Sequence, residues 1–180
     1  IILALAFGAL GMQTPQPVQA VSPDVRISQA YGGGGNSGAT YTHDFIELFN
    51  ASNFDVNLAG WSVQYASATG NAWSVTLLSG TIPANSYFLI QEAKGSGGTT
   101  PLPTPDLIGS IQMSGSSIKV ALSNSTATFT EVCPTNVVDF VGAGSTVNCY
   151  EGSAPAPAPS NTTSGIRQQD GCQDTDDNSA

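Results

Sequence analysis

His43, followed by Asp44, is the only imidazole in the chain of 180 residues. A hydrolytic triad would hold that imidazole between an activated Ser and a supporting carboxylate. Ser is too abundant here to single one out and no Gly-x-Ser-x-Gly elbow occurs, so catalysis by His43 is not expected. Glu47 lies between Ile46 and Leu48, where a carboxylate is costly unless it is paired or faces water. Its expected role is structural, bonding N–H groups of a neighbouring loop or Arg26. Paired-carboxylate hydrolysis would need a second acid across a cleft. Asp44, Asp139 and Glu151 are available, but a flat sheet face offers no groove for a substrate.

Asp174-Thr175-Asp176-Asp177-Asn178 places oxygen ligands at alternate positions, with Asp174, Asp176 and Asn178 as candidate Ca²⁺ ligands. The pattern is incomplete, because Ser179 stands where an EF-type loop has Gly and no Glu follows at the twelfth position. The competing expectation is an Asx-rich turn that caps the last strand and meets Arg167. Gly32 to Gly38 is glycine-rich but lacks the Lys and the following helix of a phosphate cradle, and is expected to be a flexible inter-strand loop. No cofactor is called for.

Cys133, Cys149 and Cys172 lack a nearby His and are too widely spaced for a zinc site. In an exported chain at least one disulfide is expected. The strand from Val137 to Val141 tends to carry Cys133 away from Cys149, whereas the Pro-Ala segment lets Cys172 return. The expected bridge is therefore Cys149 to Cys172, with Cys133 free or joined to another molecule. Asn50, Asn124 and Asn161 head glycosylation sequons, read as chance in so Asn/Ser/Thr-rich a chain.

These residues must be positioned by strands. Only 9% of residues are charged while 40% are hydrophobic, and Gly, Ser, Thr, Asn and Pro fill the rest, the makeup of a folded secreted β-protein. Residues 1–20 read as a signal peptide that is N-terminally incomplete, with an apolar run from Ile1 to Met12 and small residues at a cut after Ala20. That run is too short to span a bilayer, so no membrane span is expected after cleavage and the mature protein is expected outside the cytoplasm. No window of mature sequence keeps helical apolar spacing. Short strands are expected instead at Val25–Ile27, Asp44–Asn50, Trp61–Tyr65, Trp73–Leu78, Tyr87–Gln91, Leu107–Met113, Ile118–Leu122 and Val137–Val141. Trp61 is expected to anchor the core. Residues 93–106, rich in Gly and Pro, are expected to form the longest surface loop. Strands at this spacing indicate an all-β, two-sheet sandwich over residues 21–150. Residues 151–180, a Pro/Ala strap and an acidic Cys-containing tail, are expected to be the truncated end of the same domain.

Asp44-Phe45-Ile46-Glu47-Leu48-Phe49-Asn50, followed by Val56-Asn57-Leu58-Ala59-Gly60-Trp61-Ser62-Val63, resembles the paired "IEL-N" and "L-GW" strands of the lamin tail domain. Thr81 to Ile90, Lys119 to Leu122 and Val138 to Gly142 also look like successive strands of that family, so the match runs from about Val25 to Gly142. The resemblance implies an immunoglobulin-like β-sandwich in which Glu47, Asn50, Gly60, Trp61 and Asp139 have structural roles. The segments Ser28 to Gly38 and Arg167 to Asn178 look like those of bacterial secreted members. There the domain commonly precedes a nuclease or phosphatase catalytic domain, as an accessory module without chemistry of its own. Such members continue into a closing "DF" strand beyond the point where this chain stops.

Lys+Arg number 4 against 13 Asp+Glu, a formal net charge of -9, which excludes a basic surface for a phosphate backbone; no direct nucleic-acid binding is expected. The expected function is thus a non-catalytic secreted module for targeting, spacing or protein interaction. Its partner would be an attached or neighbouring catalytic domain, or a cell-surface or protein ligand. A second reading is a Ca²⁺-assisted carbohydrate or cell-surface adhesion module using exposed aromatics such as Tyr41 and Tyr150. A third is an independent hydrolase.

Overall fold

The structure, a computed structural model, describes residues 16–18 and 24–180. The expected signal segment lies outside the described residues except for Gln16–Val18. In chain order the strands are β1 (Gln16–Val18), β2 (Val25–Tyr31), β3 (His43–Asn50), β4 (Val56–Asn57), β5 (Ser62–Ser67), β6 (Ser74–Leu77) and β7 (Thr81–Ile82). They continue with β8 (Tyr87–Lys94), β9 (Leu107–Ile108), β10 (Ile118–Ser123), β11 (Asp139–Ala143), β12 (Cys149–Glu151) and β13 (Gly165–Ile166). Two sheets, ordered β13-β2-β3-β8-β9 and β11-β10-β5-β6, face each other as an immunoglobulin-like sandwich; β1-β12 and β4-β7 are short accessory pairs.

Period-2 alternation builds the core. Ile46 and Leu48 of β3, Phe88 and Ile90 of β8, and Ile118, Val120 and Leu122 of β10 point inward and pack with Val25, Ile27 and Val63. The outward face of the four-stranded sheet is also covered, because residues 124–138 cross it and bury a second cluster of Ala66, Trp73, Ala121, Phe140 and Cys149. Ser62 and Gln64, which alternation alone would leave in water, are therefore fully buried. The crossing segment satisfies them: Gln64 donates to Ala127 O (2.9 Å) and accepts from Phe129 N (3.0 Å), and Ser62 donates to Ser125 O (2.7 Å).

Several expectations are corrected here. Trp61 is only half-buried and packs on the rim of the main core, while the fully buried Leu58 takes the interior place beside it. Gly60, exposed at φ 86°, makes the turn that leaves Trp61 just before β5. Trp73 is the buried indole, edge-on to Phe129 and Phe140 with its N–H on Glu131 O (2.9 Å). The 93–106 excursion is shortened by β8, which runs to Lys94, and the crossing 124–138 exceeds it. Only Leu107–Ile108 of the expected Leu107–Met113 strand forms.

The glycine segment is not a loose loop. Gly32 to Gly35 are buried, and a Cβ on Gly34 would lie 1.9 Å from the His43 carbonyl carbon. Gly33 leaves room for Ser160 and Asn161 in the same way. The run lets backbones touch, which any side chain would prevent.

Candidate functional site

The densest cluster of charge lies at the seam where β2 of one sheet meets β11 of the other. Asp139 begins β11 and, with Val141 and Ala143, is on the inward parity of that strand. Its carboxylate accepts the N–H groups of Ile27 and Phe140 and the Nη2 of Arg167 (2.6 Å). Arg167, just past β13, also donates to Ile27 O (2.9 Å), Asp174 Oδ1 (2.7 Å) and Glu151 Oε2 (3.3 Å). One guanidinium therefore joins both sheets, β12 and the C-terminal tail.

Asn178 completes the seam. Its carbonyl accepts Gly142 N (2.8 Å) and Glu151 N (3.0 Å), and its amide donates to Phe140 O and Glu151 Oε2 (both 3.0 Å). The side-chain amide thus substitutes for a strand along the open edge of β11. The strap does the same further on, through Ala156 N to Gly142 O (2.9 Å) and Gly144 N to Ala156 O (3.0 Å).

Burial is the largest influence on these acids. It pushes Glu151 up to about 8, reinforced by the Asp139 charge and opposed by Arg167. It also raises Asp139, against the pull of Arg167 and two backbone N–H groups. Glu151 Oε1 has no hydrogen-bond partner, so only one oxygen of this buried carboxyl is held by the network. Asp139, Glu151 and Asp174 bring one oxygen each within 4.8 Å of one another, the spacing of a metal cluster, but the guanidinium of Arg167 already contacts all three.

Two further buried acids pin the segment after β9. Asp44 accepts Gly34 N and Met113 N (both 2.8 Å), and burial raises it to about 6. Glu92 accepts Ile111 N (2.7 Å) and is pushed by burial up to about 7. On the outward face of β10, buried Lys119 donates to Gly70 O (2.7 Å), Val132 O (2.8 Å) and Asn148 Oδ1 (3.2 Å), beside the Trp73 ring. Burial lowers it to about 8.

The candidates from sequence do not assemble a reaction centre. His43 Nδ1 shares a hydrogen with Thr42 Oγ1 (2.9 Å), and among the described residues no carboxylate bonds the imidazole. Glu47 accepts the Ser28 hydroxyl (2.5 Å). Asn50 donates to Phe54 O, Ile82 O and Pro83 O and accepts from Ser52, tying the end of β3 to β7. Of the proposed Ca²⁺ ligands, Asp174 is bonded to Arg167 and Asn178 closes the β11 edge; Asp176 is exposed at φ 50°. Tyr41 packs edge-on to Tyr31 and Phe45, and Tyr150 is half-buried.

The expected Cys149–Cys172 bridge is corrected: Cys133 is bonded to Cys149, and Cys172 is a free thiol 3.0 Å from the Tyr87 hydroxyl. The crossing 124–138 folds back over the sheet face on which Cys149 is buried and delivers Cys133 there, so the intervening β11 does not separate them. Glu92, Lys119 and the hub role of Arg167 were missed. An ionisable residue at inward parity between apolar neighbours, as Glu92 is after Phe88 and Ile90, is the signal that marks such positions.

No curated protein matches the chain. The family model described as Lamin Tail Domain matches residues 18–145, ending before the strap and tail that complete the seam. Lamin tail domains are generally non-catalytic immunoglobulin-like modules. With more than half of its length matched, and with every strand of the two sheets except β13 inside that span, this chain belongs to the lamin tail domain family.

Proposed function

We propose that the chain is a non-catalytic accessory module of an exported protein, serving to target, space or bind a partner for a catalytic domain such as a nuclease. The observation that carries this reading is the use made of the buried ionisable groups. Asp44, Glu92, Lys119, Asp139, Glu151 and Arg167 each bond backbone groups, another of these side chains, or both, and thereby hold loops and sheets together. Those bonds tie the side chains to the backbone and to one another, a structural use of charge. The disulfide is compatible with an extracellular location. Among the described residues no helix is long and apolar enough to cross a membrane. Two of the four basic residues, Lys119 and Arg167, are engaged in the interior, which leaves little to attract nucleic acid.

The test is an activity assay of the purified full chain on plasmid DNA, RNA and phosphate esters with Mg²⁺, Ca²⁺ or Mn²⁺, with His43→Ala beside it. No turnover above the variant is expected. Cleavage that follows the wild type and vanishes in the variant would replace this reading with the hydrolase.

A further inference from the structure

A cavity of about 490 Å³ runs along β13, with the buried side chains of Ile27 and Val141 at its base and the strap residues Ala156, Pro157 and Ala158 on another wall. Its volume falls within the range of ligand-binding clefts. Most of its lining comes from residues after 145, outside the span that the family model matches.

β13 is an edge of the five-stranded sheet. Ile166 pairs with Gln29, and Arg167 N donates to Ser28 O (3.0 Å) on the same register. In an antiparallel ladder bonded and non-bonded pairs alternate, so the N–H and C=O of Ile166 point away from β2, toward the open edge. The Ile166 side chain is 54% exposed. At the seam's other boundary the edge of β11 is closed by Asn178 and Ala156. The sandwich thus has one blunted edge and one receptive edge at the same seam.

The charge around this cleft has one sign. Asp177 lines it and stays ionised, held well below the usual carboxylate range by the hydroxyls of Ser153 and Ser179. Asp170 and Asp176 are exposed on the same tail. The one basic lining residue, Arg167, is already bonded to three carboxylates. The chain as a whole carries -9.

Resting on the interaction-module reading, we propose that this cleft takes an extended segment of a partner protein, added as a strand to the free edge of β13, in which small apolar residues alternate with Lys or Arg. The backbone of Ile166 supplies the pairing, the Ile27/Val141 base and the alanines receive the small apolar side chains, and the acidic tail selects the cationic ones.

The probe is a fluorescein-labelled octapeptide of alternating valine and lysine, with a valine–glutamate counterpart, titrated by anisotropy against the full chain. The lysine peptide is expected to bind at least about tenfold more tightly than the glutamate peptide, and to weaken as salt screens the charge. Ala158→Trp, which fills the cleft, and Ile166→Pro, which removes the edge N–H, should each lower affinity by about tenfold or more. Ala158→Trp leaves the seam network untouched, so its melting midpoint checks that a lost signal is not lost folding. Amide chemical shifts should move at residues 163–168.

Equal binding of the two peptides, binding undiminished in both variants, or no binding of either would overturn the cleft proposal. So would light scattering that shows a dimer dispersed by Ala158→Trp, since the occupant would then be a second copy. None of these outcomes touches the accessory-module reading, which stands or falls on the hydrolysis assay.

Discussion

Replacing Arg167 by Ala removes the guanidinium that Asp139, Glu151 and Asp174 share, and the structure sets the size of the effect. Asp139 is fully buried and loses its charged partner, while Ile27 O loses a donor and Asp174 its tie to the sandwich. Breaking a buried pair from one side leaves an uncompensated charge and costs about 3 to 5 kcal/mol. The expected outcome is therefore a loss of about 3 to 5 kcal/mol in urea unfolding, a large part of the roughly 5 to 15 kcal/mol available to a domain. Protonation of Asp139 in the variant would hold the loss to the low end. Asp139→Leu alone should not be milder, because the carboxylate also accepts Ile27 N and Phe140 N, and each orphaned N–H costs about 1 to 3 kcal/mol. The Arg167→Ala/Asp139→Leu double variant should lose clearly less than the sum of the singles. Limited proteolysis of Arg167→Ala should cut first within 160–180, the segment whose hold on the sandwich is mainly polar. A loss below about 1 kcal/mol, the worth of a surface ion pair, would refute the assignment of Arg167 as the joint between the sheets.

The other predictions concern titration, the disulfide and the two indoles. Burial raises Asp44 to about 6, Glu92 to about 7 and Glu151 to about 8, so the folded state binds these protons more tightly than the unfolded state does. Their contribution to stability is full below the unfolded values near 4, falls as pH rises and is lost by about pH 8; Glu92→Gln should remove on the order of 3 kcal/mol of that dependence in urea melts taken from pH 4 to 8. A slope of opposite sign would refute it. Peptide mapping without reduction should find Cys133 joined to Cys149 and Cys172 alkylated; reduction should lower the urea midpoint, since a loop of 16 residues is worth about 3 kcal/mol. Trp73→Ala should cost about 3 to 5 kcal/mol and Trp61→Ala clearly less; the reverse order would contradict the placement of the two indoles.

The sandwich was legible in the sequence because its signals are local. Alternation in Phe88-Leu89-Ile90 and Ile118 to Leu122, and the turn residues between them, mark strands without reference to partners. The paired segments around Glu47 and Trp61 carry the family resemblance, and the matched span confirms it. The same locality is why the rest was hidden. Gln64 and Ser62 read as water-facing until residues 124–138 are laid across them, and the same crossing decides which Cys meets Cys149. Trp61 and Trp73 look alike as apolar strand residues; which is buried depends on the face that crossing covers. The glycines from 32 to 35 read as flexible, yet they are small because His43 and Asn161 lie against them. Arg167 is 140 residues from Ile27 and 28 from Asp139, and no local pattern specifies that a surface-type residue will bridge both. Strand periodicity and fold class follow from neighbouring residues and can therefore be read along the chain. Burial, ion pairing and the open edge of β13 arise from contacts between distant segments, which no short window of the chain contains.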